Sequence, residues 1–180
     1  LAGEHDRQSL RPPEERTTEH SGEGSAKPLL AYGTGLQDLL DGLLAQYQSS
    51  DFHNAEQLAV VLTTKFPQHP FAWKILGVLY AQTGRLQQSV APLRKCTELE
   101  PMSAEAHYNF AIVLQDLARF GDAEASYQQS IQLQPDNGAA HYTLGNLLLI
   151  QGRLEEAVAS YTRSIELVPD SAEVHINLGN

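Results

Sequence analysis

A single cysteine stands in 180 residues, and only 12 lysines and arginines are set against 22 acidic side chains. One thiol excludes an internal disulfide and any cysteine-based zinc site, and it suits a reducing compartment, so a cytoplasmic location is the expectation. The few cations are scattered through a chain of net charge -10, which excludes a phosphate-gripping surface and disfavours anionic membranes. No apolar run approaches the ~20 residues that a membrane-spanning helix needs. Glycine-rich phosphate loops, nucleophile elbows and zinc signatures are all missing, so no cofactor and no catalytic activity are expected of this chain. Hydrophobic residues nevertheless make up 42% of it, enough to bury a core.

Those residues are unevenly placed. Residues 1–28 hold only two large aliphatics, Leu1 and Leu10, among six acidic and four basic side chains. A segment of this composition cannot offset its ordering entropy and is read as a disordered tail or linker. From Leu29 onward apolar residues recur at helical spacing, with breaks near Ser49–Ser50, Pro67, Gly84, Pro101, Gly121, Pro135, Gly152 and Pro169. Helices are predicted at 36–48, 52–65, 71–83, 87–99, 104–117, 121–133, 138–151, 155–167 and 172–180, with no strand.

Pro67, Pro101, Pro135 and Pro169 are separated by a constant step of 34 residues, and the residues within each step agree. The unit from Pro70 supplies Trp73, Leu76, Gly77 and Tyr80, then Ser89, Leu93, Cys96 and Pro101. The next has His107, Phe110, Ala111, Leu114, Ala123, Tyr127, Ser130 and Pro135, and its successor His141, Leu144, Gly145, Leu148, Ala157, Tyr161, Ser164 and Pro169. A further unit opens with His175, Leu178 and Gly179. This pattern resembles the tetratricopeptide repeat, and the resemblance implies an all-α, right-handed solenoid of antiparallel helix pairs. The implied division is a tail at 1–28, a degenerate first unit at 29–69, full units at 70–103, 104–137 and 138–171, and the start of another at 172–180. The first unit is degenerate because Gly42 precedes Leu43 where the reverse order belongs. Small residues at Gly77, Ala111 and Gly145, and at Ser89, Ala123 and Ala157, should let the two helices of a unit approach closely.

His107, His141 and His175 share one position in successive units, so they stand on the order of 10 Å apart, too far for a common metal. They are read as packing residues, and Cys96 as a buried structural thiol. The carboxylates Glu98, Glu100, Glu155 and Glu156 read as solvated helix faces.

Function should lie where the units differ. At ~100° per residue, positions 2, 6, 9 and 13 of each first helix face away from the packing side, onto the surface where stacked repeats hold partners. Those positions carry Phe71, Ile75, Val78 and Gln82; Glu105, Asn109, Ile112 and Asp116; Ala139, Thr143, Asn146 and Ile150; and Glu173, Asn177 and Asn180, with Lys74, Tyr108 and Tyr142 on the flank. The expected peptide groove is therefore Lys74, Tyr108, Asn109, Ile112, Asp116, Tyr142, Asn146, Ile150, Asn177 and Asn180. Asparagine both donates and accepts, which suits gripping a peptide backbone. The asparagines resemble the ladder in the repeat region of O-linked N-acetylglucosamine transferases, although Ile75 and Val78 depart from it. A clamp for a partner's terminal carboxylate, as in repeat co-chaperones, finds Lys74 and Asn109 in place but not Val78, Ala139 or Thr143.

The resulting expectation is a module that binds a protein or peptide segment, without nucleic acid or membrane. The alternative is a substrate-recruiting region of a larger glycosyltransferase, sulfotransferase or methyltransferase, suggested by the half-unit that closes at Asn180. The opening at Leu1 rather than methionine admits a leader removed upstream.

Overall fold

The computed structural model describes residues 35–169; the expected tail and the helix expected at 172–180, with His175, Asn177 and Asn180, lie outside them. Within that span the chain is eight helices: α1 (Leu36–Gln48), α2 (Phe52–Lys65), α3 (Pro70–Gln82), α4 (Leu86–Leu99), α5 (Ala104–Asp116), α6 (Phe120–Leu133), α7 (Gly138–Ile150) and α8 (Leu154–Leu167). They form antiparallel pairs, α1 with α2 through α7 with α8, stacked as an α-solenoid, and no described residue is in a strand.

The turn inside each pair is built the same way. Ser50, Gly84, Ala118 and Gly152, in step at 34 residues, all take left-handed backbone with φ of 59°, 75°, 56° and 74°. The following amide then donates to a carbonyl five residues back: Asp51 to Gln46, Arg85 to Tyr80, Arg119 to Leu114 and Arg153 to Leu148. This closes the first helix and aims the second back along it. The break expected near Gly121 falls at Leu117–Arg119, where Ala118 holds the turn, and Gly121 lies inside α6 as the helix expected at 121–133 has it.

Turns between pairs use side-chain caps and a recurring long bond. Ser103 and Asn137 cap α5 and α7 by accepting from the amides of Ala106 and Ala140, as Asp51, inside the first pair, caps α2 by accepting from Asn54. Trp73 donates its indole N–H to the Pro67 carbonyl at 2.9 Å, and Nε2 of His107 and His141 lies 3.1 Å from the carbonyls of Pro101 and Pro135. The two histidines, expected only to pack, thus tie each first helix to the proline that ended the helix before it. Because the carbonyl only accepts, Nε2 carries the proton.

Burial falls into two clusters. One gathers Leu39, Leu43, Leu58, Leu62, Leu76 and Leu79 from α1 to α3; the other gathers Leu114, Tyr127, Leu144, Leu147, Leu148 and Tyr161 from α5 to α8. Gly42 and Leu43, out of order against the repeat pattern, are both buried, and Leu43 belongs to the first cluster. Ser89, Ala123 and Ala157 are buried, as the close approach within pairs requires.

Candidate functional site

The first helices α1, α3, α5 and α7 touch one another in sequence and form one layer of the stack. Its N-terminal part is occupied by the protein's own contacts. Ile75 is buried in the first core cluster rather than lining the face, and Phe71 packs against that cluster. Lys74 reaches across to Glu105 in the next unit, with Nζ 3.0 Å from Oε2, and lies 5.6 Å from the Phe71 ring centre. Gln82 donates to the Tyr47 hydroxyl at 3.1 Å.

The C-terminal part is built by tyrosines that reach through from the second helices. Tyr127 and Tyr161 are each 1% exposed, and their rings lie 6.0 Å and 5.9 Å from those of Tyr108 and Tyr142 on the outward face. A buried hydroxyl demands a partner. Tyr127 donates to Oε1 of Gln115 at 3.1 Å, and Tyr161 to Oδ1 of Asn146 at 2.7 Å. Burial pushes the Tyr127 phenol well above its ordinary range.

Each residue of the expected groove has a distinct role. Asn109 is half-buried and makes no side-chain hydrogen bond among the described residues. Asn146 is committed through its oxygen to Tyr161, so the two described asparagines do not form a uniform row. Thr143, at the position equivalent to Asn109, donates back to the carbonyls of Ala139 and Ala140. Ile112 packs against the second core cluster, whereas Ile150 is 59% exposed and Asp116 is exposed at the last position of α5. Asn177 and Asn180 fall outside the described residues. Sequence reasoning missed Gln115, Tyr127 and Tyr161 as parts of the site. Its available signal was a tyrosine repeated on two buried second-helix faces, whose hydroxyls had to emerge somewhere.

Ion pairs also join neighbouring units. Arg85 binds Glu56 at 2.6 Å beneath the Tyr80 ring, 4.6 Å from its centre, and Arg153 binds Glu124 at 2.7 Å. The side-chain bond from Arg85 holds the Glu56 carboxyl below its ordinary 4.5. Between these junctions Val90 takes the place of the acid, and Arg119 turns to Asp122 three residues on. Cys96 is fully buried, and that burial pushes its thiol up to about 11. Among the described residues no group of three or more histidine, cysteine and carboxylate side chains is placed to hold a metal, and no helix is long and apolar enough to cross a membrane.

Comparison with known proteins places this architecture. Tetratricopeptide-repeat family profiles match residues 108–172 and 72–101, together just over half of the chain. A stretch of 40 residues is 48% identical to the type IV pilus assembly protein PilF of Pseudomonas aeruginosa, covering 22% of this chain and only 16% of that protein. Among solved structures, MamA superposes with a TM-score of 0.75 at 22% identity, over 80% of this chain and 79% of that one. A thermophilic repeat protein of Thermus thermophilus gives 0.65 at 22% identity, over 81% and 80% of the two chains. At these identities the structural likeness speaks to the fold alone.

Proposed function

The chain belongs to the tetratricopeptide-repeat family, an α-solenoid scaffold for protein–protein interaction, and on that premise we propose that the outward face of α5 and α7 holds a polypeptide segment of a partner. The observation that carries this reading is Asn109. It is a half-buried amide without a side-chain partner, on a face where the neighbouring polar groups Asn146, Thr143, Gln115 and Gln82 are all engaged. Such an amide offers donors and an acceptor at the spacing of a peptide bond, with Tyr108 and Tyr142 as rigid apolar walls beside it. This grip is like the asparagine ladder of O-linked N-acetylglucosamine transferases, with Asn109 as the described residue that fits it. Lys74 is excluded from the primary grip by its ion pair with Glu105, which also counts against a clamp for a terminal carboxylate.

The test is to select short peptides from a displayed random library on the full chain and measure their affinities by fluorescence anisotropy. Asn109→Ala should weaken binding about tenfold, the worth of one or two hydrogen bonds, at unchanged melting temperature. Gln132→Ala, on the outer surface beside α8, should leave affinity alone. Equal affinities for the parent and the Asn109 variant would refute the groove.

A further inference from the structure

The first unit carries a cavity of about 330 Å³ walled by Leu36, Phe66, Pro67, Gln68 and His69, between the start of α1 and the turn that follows α2. That turn is pinned. The Phe66 amide donates to the Leu62 carbonyl at 2.7 Å, the His69 amide to the Phe66 carbonyl at 3.0 Å, and Trp73 holds the Pro67 carbonyl. The cavity has a cause in the sequence. The residues in step with Leu36 are Pro70, Ala104 and Gly138, all smaller, and at Gly138 the paired helix comes so close that a Cβ would stand 2.7 Å from Cγ2 of Val168. A leucine at that position holds α1 off the end of α2.

Two features mark the site as unfinished. Leu36 and Phe66 pack against the first core cluster yet stay only partly buried, so an apolar occupant would extend that core. Nδ1 of His69 is buried with no hydrogen-bond partner among the described residues, a desolvated group that gains from any partner brought to it.

The sequence holds an occupant at the cavity's edge. Leu29-Leu30-Ala31-Tyr32 is the first apolar run of the chain, after 28 residues whose only large aliphatics are Leu1 and Leu10. Tyr32 precedes the wall residue Leu36 by four residues, at most ~14 Å of extended chain. Register agrees with reach: Leu29 is in step with Ile131 and Ile165, and Tyr32 with Phe66, side chains that pack against the two core clusters from the ends of second helices. The run has a single polar side-chain group, the Tyr32 hydroxyl, which donates or accepts and therefore suits either tautomer of His69.

We propose that Leu29–Tyr32 seats in this cavity of its own chain, its leucines against Leu36 and Phe66 and the Tyr32 hydroxyl on Nδ1 of His69. The segment then closes the apolar N-terminal end of the solenoid, as a terminal unit of a repeat array must be closed to keep copies from stacking end to end. This reading is independent of the groove on α5 and α7.

A thiol placed in the run reports the seating through its rate of reaction with a water-soluble maleimide on the full chain. Cys96 is fully buried, and the parent chain gives its background rate. A segment seated about nine-tenths of the time reacts about tenfold more slowly than an exposed thiol. The slower of Leu29→Cys and Leu30→Cys should therefore lag Ser25→Cys by about that factor, at every protein concentration. Leu36→Ala removes a wall while leaving the residue that Ala104 supplies in the same place one unit of the pattern along, and it should raise the protected rate at least about threefold with helix content unchanged by circular dichroism. Tyr32→Phe should raise it about threefold by removing the bond to His69. Rates equal to that of Ser25→Cys would overturn the proposal, as would protection that Leu36→Ala leaves intact. Protection that appears only as concentration rises would assign the cavity to a second copy and overturn it equally. A rate unmoved by Tyr32→Phe would overturn the contact with His69.

Discussion

A Cβ atom placed on Gly145 would stand 2.6 Å from Cε1 of Tyr161, a ring that is 1% exposed and anchored through its hydroxyl to Asn146. Neither partner can yield. Gly145→Leu is therefore expected to destabilise by about 1–3 kcal/mol, seen as a lower denaturant midpoint. Gly121, with nothing within 4 Å of its would-be Cβ and no positive φ, is the control. Gly121→Ala should hold or raise the midpoint, because alanine narrows the unfolded ensemble.

Ala118 occupies a backbone conformation that its equivalents reach with Gly84 and Gly152. Its Cβ makes that conformation costly, so Ala118→Gly should stabilise by about 0.5–1 kcal/mol, against the usual penalty of glycine. Gly84→Ala and Gly152→Ala should lose a comparable amount. A lower midpoint for Ala118→Gly would contradict the turn geometry.

Two equivalent serines make opposite predictions. Ser164 donates to the Gly138 carbonyl at 2.8 Å, whereas the Ser130 hydroxyl is buried with no partner among the described residues. Ser164→Ala should cost about 1 kcal/mol, and Ser130→Ala should be neutral or stabilising because it removes a desolvated group that gains nothing. Thermal melts of the two variants side by side decide it.

The Arg85–Glu56 pair makes stability depend on pH. The folded carboxyl of Glu56 titrates below the ordinary 4.5, so its contribution is complete above that value and disappears as pH falls through the folded pKa. Glu56→Gln should accordingly melt below the parent at pH 7, and the gap should close at strongly acidic pH. A gap that is constant across the carboxylate range would mean that the pair contributes nothing through charge.

Asn146→Ala should lower stability by about 0.5–1.5 kcal/mol, because the Tyr161 hydroxyl loses the acceptor 2.7 Å away. Asn109→Ala should not, having no side-chain hydrogen bond to lose. Equal melting of the two variants would show that the Tyr161 bond is of no consequence.

That contrast marks how far the sequence could be read. The bounds of the eight described helices were legible to within a residue, since the proline step and the apolar period are local signals; α3 begins at Pro70 rather than residue 71 because proline's missing N–H suits a first turn. The close approach of Gly145 to α8 followed from size alone. The division of labour between Asn109 and Asn146 did not, because it depends on a hydroxyl delivered from a second helix 15 residues away. Nor did the capture of Lys74 by Glu105, which requires knowing how one unit is displaced along the next. Identical residue types at outward positions thus acquired different duties from partners that no helical wheel displays.

The bond from Trp73, His107 and His141 back to a proline carbonyl means that each joint specifies a donor in a place rather than one kind of side chain. An indole and an imidazole are interchangeable parts there. Whole repeats could then be spliced out, duplicated or imported as cassettes without redesigning the seam, provided that the graft brings an N–H at its fourth residue and a proline at its close. The array's length is in that sense adjustable by recombination, while the residues facing a partner travel with each cassette.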